Sequence, residues 1–232
     1  MIEVTDLSKR YVKENRDVSV LKDISFRINE GEFISIMAPS GMGKSTLLNI
    51  LGCLDKPTSG TYTLDGVSVE GMHDDELSRT RNKKIGFVFQ SFHLLPRMNA
   101  WENVTLPLIY SDTDSNMREK AIATLNEVGL GDRVEHLPRE LSGGQQQRVA
   151  VARALINDPR IIFADEPTGN LDSTSGEEVM KIFKELHRNG RTLVLVTHDT
   201  EIARQSDRII EMKDGRIVAD QVTSAASAEV AQ

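Results

Sequence analysis

Two stretches of this chain carry the residue types that hold an anion at the start of a helix. In Ala38-Pro39-Ser40-Gly41-Met42-Gly43-Lys44-Ser45-Thr46, two glycines, a lysine and hydroxyl residues stand between an apolar run at 32–37 and a helical run at 44–51. Backbone N–H groups from Gly41 to Ser45 would curl around a phosphate, and the helix N-terminus would add its partial positive charge. Lys44 would reach the β- and γ-oxygens of a nucleotide, and the Ser45 hydroxyl would ligate Mg²⁺. Far downstream, Leu141-Ser142-Gly143-Gly144-Gln145 is another Ser/Gly turn opening a helix, with no nucleotide of its own. Two such ends imply that two copies of the chain sandwich the nucleotide between them.

The first loop departs from the usual phosphate-binding pattern at one position, where Ala38 stands in place of glycine. A left-handed backbone would cost an alanine on the order of 1–2 kcal/mol. Ala38 is therefore expected to be extended, with negative φ.

Further chemistry is carried at strand ends. Ile161-Ile162-Phe163-Ala164 runs into Asp165 and Glu166. Neighbours at a strand end point to different sides, so the two acids can take different tasks. Asp165 would hold Mg²⁺, usually through water, and Glu166 would polarise an attacking water as general base. Taken alone, such a pair reads equally as two solvated loop acids. His198 follows a run ending at Val196-Thr197 and would join the crevice at the C-terminal edge of a parallel sheet. A single histidine there is more often an ordinary surface or core residue. Gln90 ends its strand in the same way and would reach Mg²⁺ or the water. Tyr11 would stack on a nucleobase, against the alternative of ordinary packing.

The elements that must position these residues are legible from periodicity. Runs at 32–37, 85–89, 161–164 and 193–196 have the length of buried strands. Asp65-Gly66 and Lys213-Asp214-Gly215 mark hairpins. Met117, Ala121, Ile122, Leu125 and Val128 recur at helical spacing, as do Val179, Ile182, Phe183 and Leu186. Helix dominates 91–157, which reads as a helical insertion in an α/β body. The expected organisation is one domain over 1–220, with an α/β core at 1–90 and 158–220 that includes antiparallel strands. A disordered tail is expected at 221–232.

Composition narrows the function. The 232 residues are 39% hydrophobic and 27% charged, with a net charge of -7, so there is no global basic footprint for nucleic acid. No apolar run approaches the ~18–20 residues that span a bilayer. The start of the chain lacks a signal-peptide pattern. With one cysteine, Cys53, no intrachain disulfide can form, and core packing is its expected role.

Together these residues resemble the ABC-type ATPases, the nucleotide-binding subunits of ABC transporters, across about residues 2–218. The resemblance sets Tyr11 in the A-loop, Ala38 to Thr46 in the Walker A motif and Gln90 in the Q-loop. It sets Leu141 to Gln145 in the signature, 161–166 in the Walker B motif, Asn170-Leu171-Asp172 in the D-loop and His198 at the switch histidine. It implies a P-loop NTPase fold with a RecA-like mixed sheet, an antiparallel β subdomain and a helical subdomain. It implies ATP and Mg²⁺, the latter through Ser45, Gln90 and Asp165, with Lys44, Glu166 and His198 as catalytic groups. It further implies a head-to-tail homodimer in which Ser142, Gly143, Gly144 and Gln145 of one subunit cap the γ-phosphate held by the other, with Asp172 touching across.

A finer likeness, in 103–110 and 164–172, is to the lipoprotein-release and macrolide-export branch. There the ATPase drives an integral membrane permease from the cytoplasmic face of the inner (plasma) membrane. The apolar stretch 92–110 is where a helix of that partner would dock, although about half of it suits a helical core equally well. The competing reading is a soluble ATPase of the same type acting on DNA or in cell division. Its usual coiled coils or zinc modules find no heptads or Cys cluster here.

Overall fold

Short buried apolar runs become strands, and longer amphipathic or capped runs become helices. The computed structural model describes residues 1–13, 16–39, 41–111 and 116–223. In chain order come β1 (Ile2–Lys13), β2 (Arg16–Ile28), β3 (Phe33–Met37), α1 (Lys44–Leu51), β4 (Ser59–Leu64) and β5 (Val67–Ser68). Then follow α2 (Asp74–Lys84), β6 (Ile85–Val88), α3 (Ala100–Thr105), α4 (Met117–Glu127), α5 (Gly143–Leu155) and β7 (Ile161–Asp165). The last are α6 (Ser173–Arg188), β8 (Thr192–Thr197), α7 (Thr200–Ala203), β9 (Arg208–Lys213) and β10 (Arg216–Val222). Contacts divide the chain into two compact units, residues 79–191 and the remainder on either side.

The unit built from both ends of the chain contains an antiparallel sheet in the order β2-β1-β4-β5. Its β4–β5 turn has positive φ at both Asp65 and Gly66, the geometry that matches strand twist. Beside it in the same unit, β3 pairs in parallel with both β8 and β9, and β9 pairs antiparallel with β10. This mixed arrangement with a separate antiparallel sheet is the α/β organisation expected. All of β8 and all of β3 except Met37 are buried, as for strands covered on both faces.

In unit 79–191, β6 and β7 form a parallel pair with Ile85 opposite Ile161. Helix α5 packs on β6 and on α3, α4 and α6. Three helices here begin on their own side chains, which satisfy part of the orphan N–H set. Asn99 and Glu102 form a capping box for α3, Ser142 and Gln145 form one for α5, and Asp172 caps α6. The expected helical insertion at 91–157 is smaller than this unit, because α5 also contacts β6 and α6. Among the described residues, no helix is long and apolar enough to cross a membrane.

Two differences from expectation have plain causes. Helix α2 buries only Leu77, so it leaves no apolar stripe. Its signal is instead charge order, with Asp74, Asp75 and Glu76 in the first turn and Arg81, Lys83 and Lys84 in the last. Strand β10 runs through Gln221 to Val222, because those residues pair with Ile209 and Arg208. The tail expected from Gln221 thus does not begin there, and the rest of that expectation, 224–232, lies outside the described residues.

The stretch 92–110 divides as the two readings of it allow. Ala100, Val104 and Leu108 are buried, whereas Leu95, Ile109 and Tyr110 are exposed. Its bend is held by Asn103, which has no exposure at all. The Asn103 Oδ1 accepts from the Leu95 amide at 2.7 Å, and Nδ2 donates to the Met98 and Asn99 carbonyls at 2.8 and 3.0 Å. Asn103→Ala should lower stability by about 2–3 kcal/mol, since it strands these groups away from water. Urea denaturation measures this, and a loss below about 0.5 kcal/mol would show that the bend is held otherwise.

Candidate functional site

The phosphate-loop residues, Tyr11 and His198 lie in the unit built from both chain ends. Gln90, the 142–145 turn, Asp165, Glu166 and Asp172 lie in unit 79–191. Ser40 is outside the described residues. In the first unit, β3 and β8 run side by side with Met37 opposite Thr197. The residues that follow, Ala38 and His198, therefore leave the same edge of one sheet. Ala38 is 5% exposed and is not among the left-handed residues, in keeping with the negative φ expected of it.

Gly43 caps α1 with φ 95 and ψ 3, and no side chain bonds to that helix end. A Cβ at Gly43 would lie 2.9 Å from Leu21 Cδ2 and 3.1 Å from the Val20 carbonyl oxygen. Only glycine fits both the conformation and the space. The first turn of α1 contains no acidic residue. A helix start with neither a side-chain cap nor an acid in its first turn suits a phosphate. Lys44 Nζ donates to the Ala38 carbonyl at 2.8 Å, folded back across the mouth of its own loop.

Tyr11 is 40% exposed and anchored rather than loose. Its hydroxyl donates to Asp55 Oδ2 at 2.8 Å, and Lys9 Nζ sits 4.9 Å from the ring centroid. Lys9 also donates to Asp55 Oδ1 at 2.6 Å. Burial raises the Tyr11 pKa, and the hydrogen bond and charge of Asp55 raise it further, against a lowering hydrogen bond with Thr46. Burial pushes the Asp55 carboxyl up, but hydrogen bonds from Lys9, Tyr11 and the Lys56 amide outweigh it and leave the carboxyl below its ordinary value. Asp55 and Lys9 were not expected here. Neither has a motif: Lys9 stands two positions before Tyr11 on β1, and Asp55 reaches both from the segment after α1.

In the second unit, Asp165 ends β7 and Glu166 follows with φ 45. A left-handed glutamate is uncommon and stores backbone strain of order 1–3 kcal/mol. It is held by a turn in which the Gly169 amide donates to the Glu166 carbonyl at 3.0 Å. Gln90 is tied to Asn170 in both directions. Its Nε2 donates to Asn170 Oδ1 at 3.3 Å, and Asn170 Nδ2 donates to the Gln90 carbonyl at 3.0 Å. The glutamine expected at a metal or water thus has an amide partner in the 170–172 loop.

The 142–145 turn lies beside that same loop. A Cβ on Gly143 would touch Leu171 at 3.5 Å, and one on Gly144 would meet Ser175 at 2.8 Å, a close approach that requires glycine. Unlike α1, helix α5 caps itself. Ser142 Oγ accepts from the Gln145 amide at 3.2 Å, while Gln145 Oε1 accepts from the Ser142 amide at 2.9 Å. The Gln146 amide donates to the Ser142 carbonyl at 2.9 Å, which leaves the Gly143 and Gly144 amides and the Ser142 hydroxyl hydrogen as the groups an anion would meet. Asp172 accepts from the Ser175 amide and hydroxyl, and these bonds hold its carboxyl below the ordinary range. Sequence reading also passed over Gln147. Its one signal was a polar residue within the buried stripe of α5, beside Gly144, Ala150 and Val151.

Comparison with known proteins bears on the chain as a whole. The family model described as ABC transporter matches residues 21–169. An uncharacterised ABC transporter ATP-binding protein, YvrO of Bacillus subtilis, is 51% identical over 95% of this chain and 97% of its own length. A macrolide export ATP-binding/permease protein, MacB of Bdellovibrio bacteriovorus, is 53% identical over 95% of this chain, which spans 34% of that protein. Among solved structures, the ATP-binding cassette MJ0796, a dimer in a post-hydrolysis state bound to ADP and Pi, superposes with TM-score 0.88 at 47% identity. That match covers 96% of this chain and 98% of the other.

Gly43 and Gly41 provide a graded test of the loop. A Cβ on Gly41, with φ 79, meets nothing within 4 Å, so Gly41→Ala should cost only about 1–2 kcal/mol of backbone strain. Gly43→Ala adds a clash and should cost roughly 1–3 kcal/mol more, with nucleotide affinity lost beyond detection. Thermal unfolding and nucleotide titration of both variants check the order, and equal effects would remove the packing argument for Gly43.

Proposed function

The chain belongs to the ABC transporter family, and on that premise we propose that it binds and hydrolyses ATP to drive a separate membrane permease. The observation that carries this reading is the start of α1, a helix end with no side-chain cap, no acid, and a lysine folded onto its own loop. ATP would supply the missing anion, and Lys44 would exchange the Ala38 carbonyl for β- and γ-phosphate oxygens. Tyr11, fixed by Asp55 and with its ring partly exposed, would stack on adenine.

The family resemblance would assign Mg²⁺ to hydroxyl, amide and carboxylate oxygens of Ser45, Gln90 and Asp165, hard ligands that suit that ion. Bound there, Mg²⁺ would neutralise phosphate charge. Glu166 would accept the proton of the attacking water while its oxygen forms the bond to phosphorus and the ADP oxygen leaves. His198 would contact the γ-phosphate and orient that water.

Two copies would form the working unit, as the dimeric state of MJ0796 supports. Ser142 to Gln145 of one copy would then cap the γ-phosphate held by Lys44 of the other, and Asp172 would face the partner. Binding closes the pair and hydrolysis reopens it. The exposed Leu95, Ile109 and Tyr110 offer an apolar surface to a permease helix, which would hold the chain at the cytoplasmic face of the inner membrane. The likeness to macrolide exporters favours export or release of a macrolide, peptide or lipoprotein. The alternative of an ATPase acting on DNA gains no support from these relatives.

Two measurements test the mechanism. Glu166→Gln should bind ATP, lose turnover by roughly 10²–10⁴-fold and accumulate as an ATP-bound dimer. Near-normal turnover would remove Glu166 from the role of base. When Lys44→Ala and Ser142→Arg subunits are mixed, activity should exceed that of either alone, because one intact composite site per mixed dimer is restored. Full ATPase activity in each single variant would end the shared-site scheme.

A further inference from the structure

We propose that Gln147 is a positioning residue that fastens the loops carrying Gln90 and Glu166 to helix α5, so that movement of the Ser142 turn reaches both. The proposal rests on the reading of Glu166 and Gln90 as the groups that manage the attacking water. Gln147 has no exposure and lies on the buried stripe of α5. Its Nε2 donates to the Pro167 carbonyl at 2.8 Å and, more loosely, to the Phe89 carbonyl at 3.4 Å. Pro167 directly follows Glu166, and Phe89 directly precedes Gln90. Among the described residues, the Gln147 Oε1 has no hydrogen-bond partner. Both neighbours are acceptors, so the reverse orientation of the amide would set oxygen against oxygen. A buried amide with an orphan acceptor is costly compared with an apolar residue. What the position gains is the pair of donors.

The surrounding contacts have the same sense. Arg153, also on α5, donates to the Phe92 carbonyl at 2.8 Å and the His93 carbonyl at 2.6 Å. Asn170 takes the Gln90 carbonyl. Four carbonyls of the irregular segment 89–93 thus bond to side chains of α5 or of the 170–172 loop. A segment whose backbone groups are satisfied in this way takes its shape from the elements that hold it. The helix that begins at Ser142 is rigid over this length, so its displacement would be passed through one side chain to the residues flanking Gln90 and Glu166. Gln147 touches no reacting atom and acts only through these carbonyls.

The test uses the full chain with ATP and Mg²⁺. Gln147→Met keeps the reach and volume of the side chain and removes both donors. Turnover per folded molecule should fall about tenfold or more, whereas the Kd for ATP stays within about twofold because the Lys44 loop belongs to the other unit. Asn170→Ala, which frees the other side of the same segment, should also slow turnover. The double variant should lose less than the product of the two single losses. If Gln147→Met does not fold, Gln147→Asn keeps a buried amide but is too short to bridge both carbonyls, and the same result is expected. Turnover of the folded variant within twofold of the wild type overturns the proposal. So does a fall in ATP affinity that matches the fall in turnover, or strictly multiplicative losses. A wild-type chain without ATP turnover would instead overturn the parent reading.

Discussion

The constraint on which the rest depends is the uncapped start of α1. Every helix leaves N–H groups without partners at its first turn. In this chain α3, α5 and α6 meet part of that need with Asn99, Ser142 and Asp172. At α1 the cap position is Gly43, which has no side chain, and the turn contains no acid. Such a start suits an anion brought from outside. Fixing it in place takes the buried strand β3, the parallel neighbour β8, and Val20 and Leu21 pressed against Gly43.

The start of α5 is of a different kind. The capping box of Ser142 and Gln145 satisfies two donors within α5, so this turn is stable without a ligand. It still offers a serine hydroxyl and glycine amides to a charge brought near. In the proposed scheme one end holds the nucleotide tightly and the other samples it, which is the asymmetry a reversible closure needs. Its proximity to Leu171 and Ser175 sets the turn against the loop that ends in Asp172.

Much of this was legible beforehand. The strands at 33–37, 85–88, 161–165 and 192–197 follow from apolar runs too short for helices, and the hairpin at 65–66 from its turn residues. Helix α2 escaped because it packs through one leucine and leaves no stripe. The end of β10 escaped because Gln221 and Val222 become strand only by pairing with β9. Among site residues, Lys44, Ser142 and Glu166 announce themselves by local motif. The left-handed φ of Glu166 does not, since nothing in its side chain asks for it; the turn to Gly169 imposes it.

The sequence alone determined which helix starts are capped by a side chain or left to glycine, and which acids and amides stand at strand ends. These depend on neighbours within a few residues, whose types set backbone conformation and capping directly. Only the tertiary structure decided which partners occupy those groups. Asp55 at the Tyr11 hydroxyl, Asn170 at Gln90 and Gln147 beneath Phe89 and Pro167 are pairings across 44, 80, and 58 and 20 positions. No local pattern encodes such meetings. They arise because packing brings distant carbonyls and carboxylates beside donors, at the surface for Asp55 and Gln90 and in the dry interior for Gln147, where the amide must find a partner.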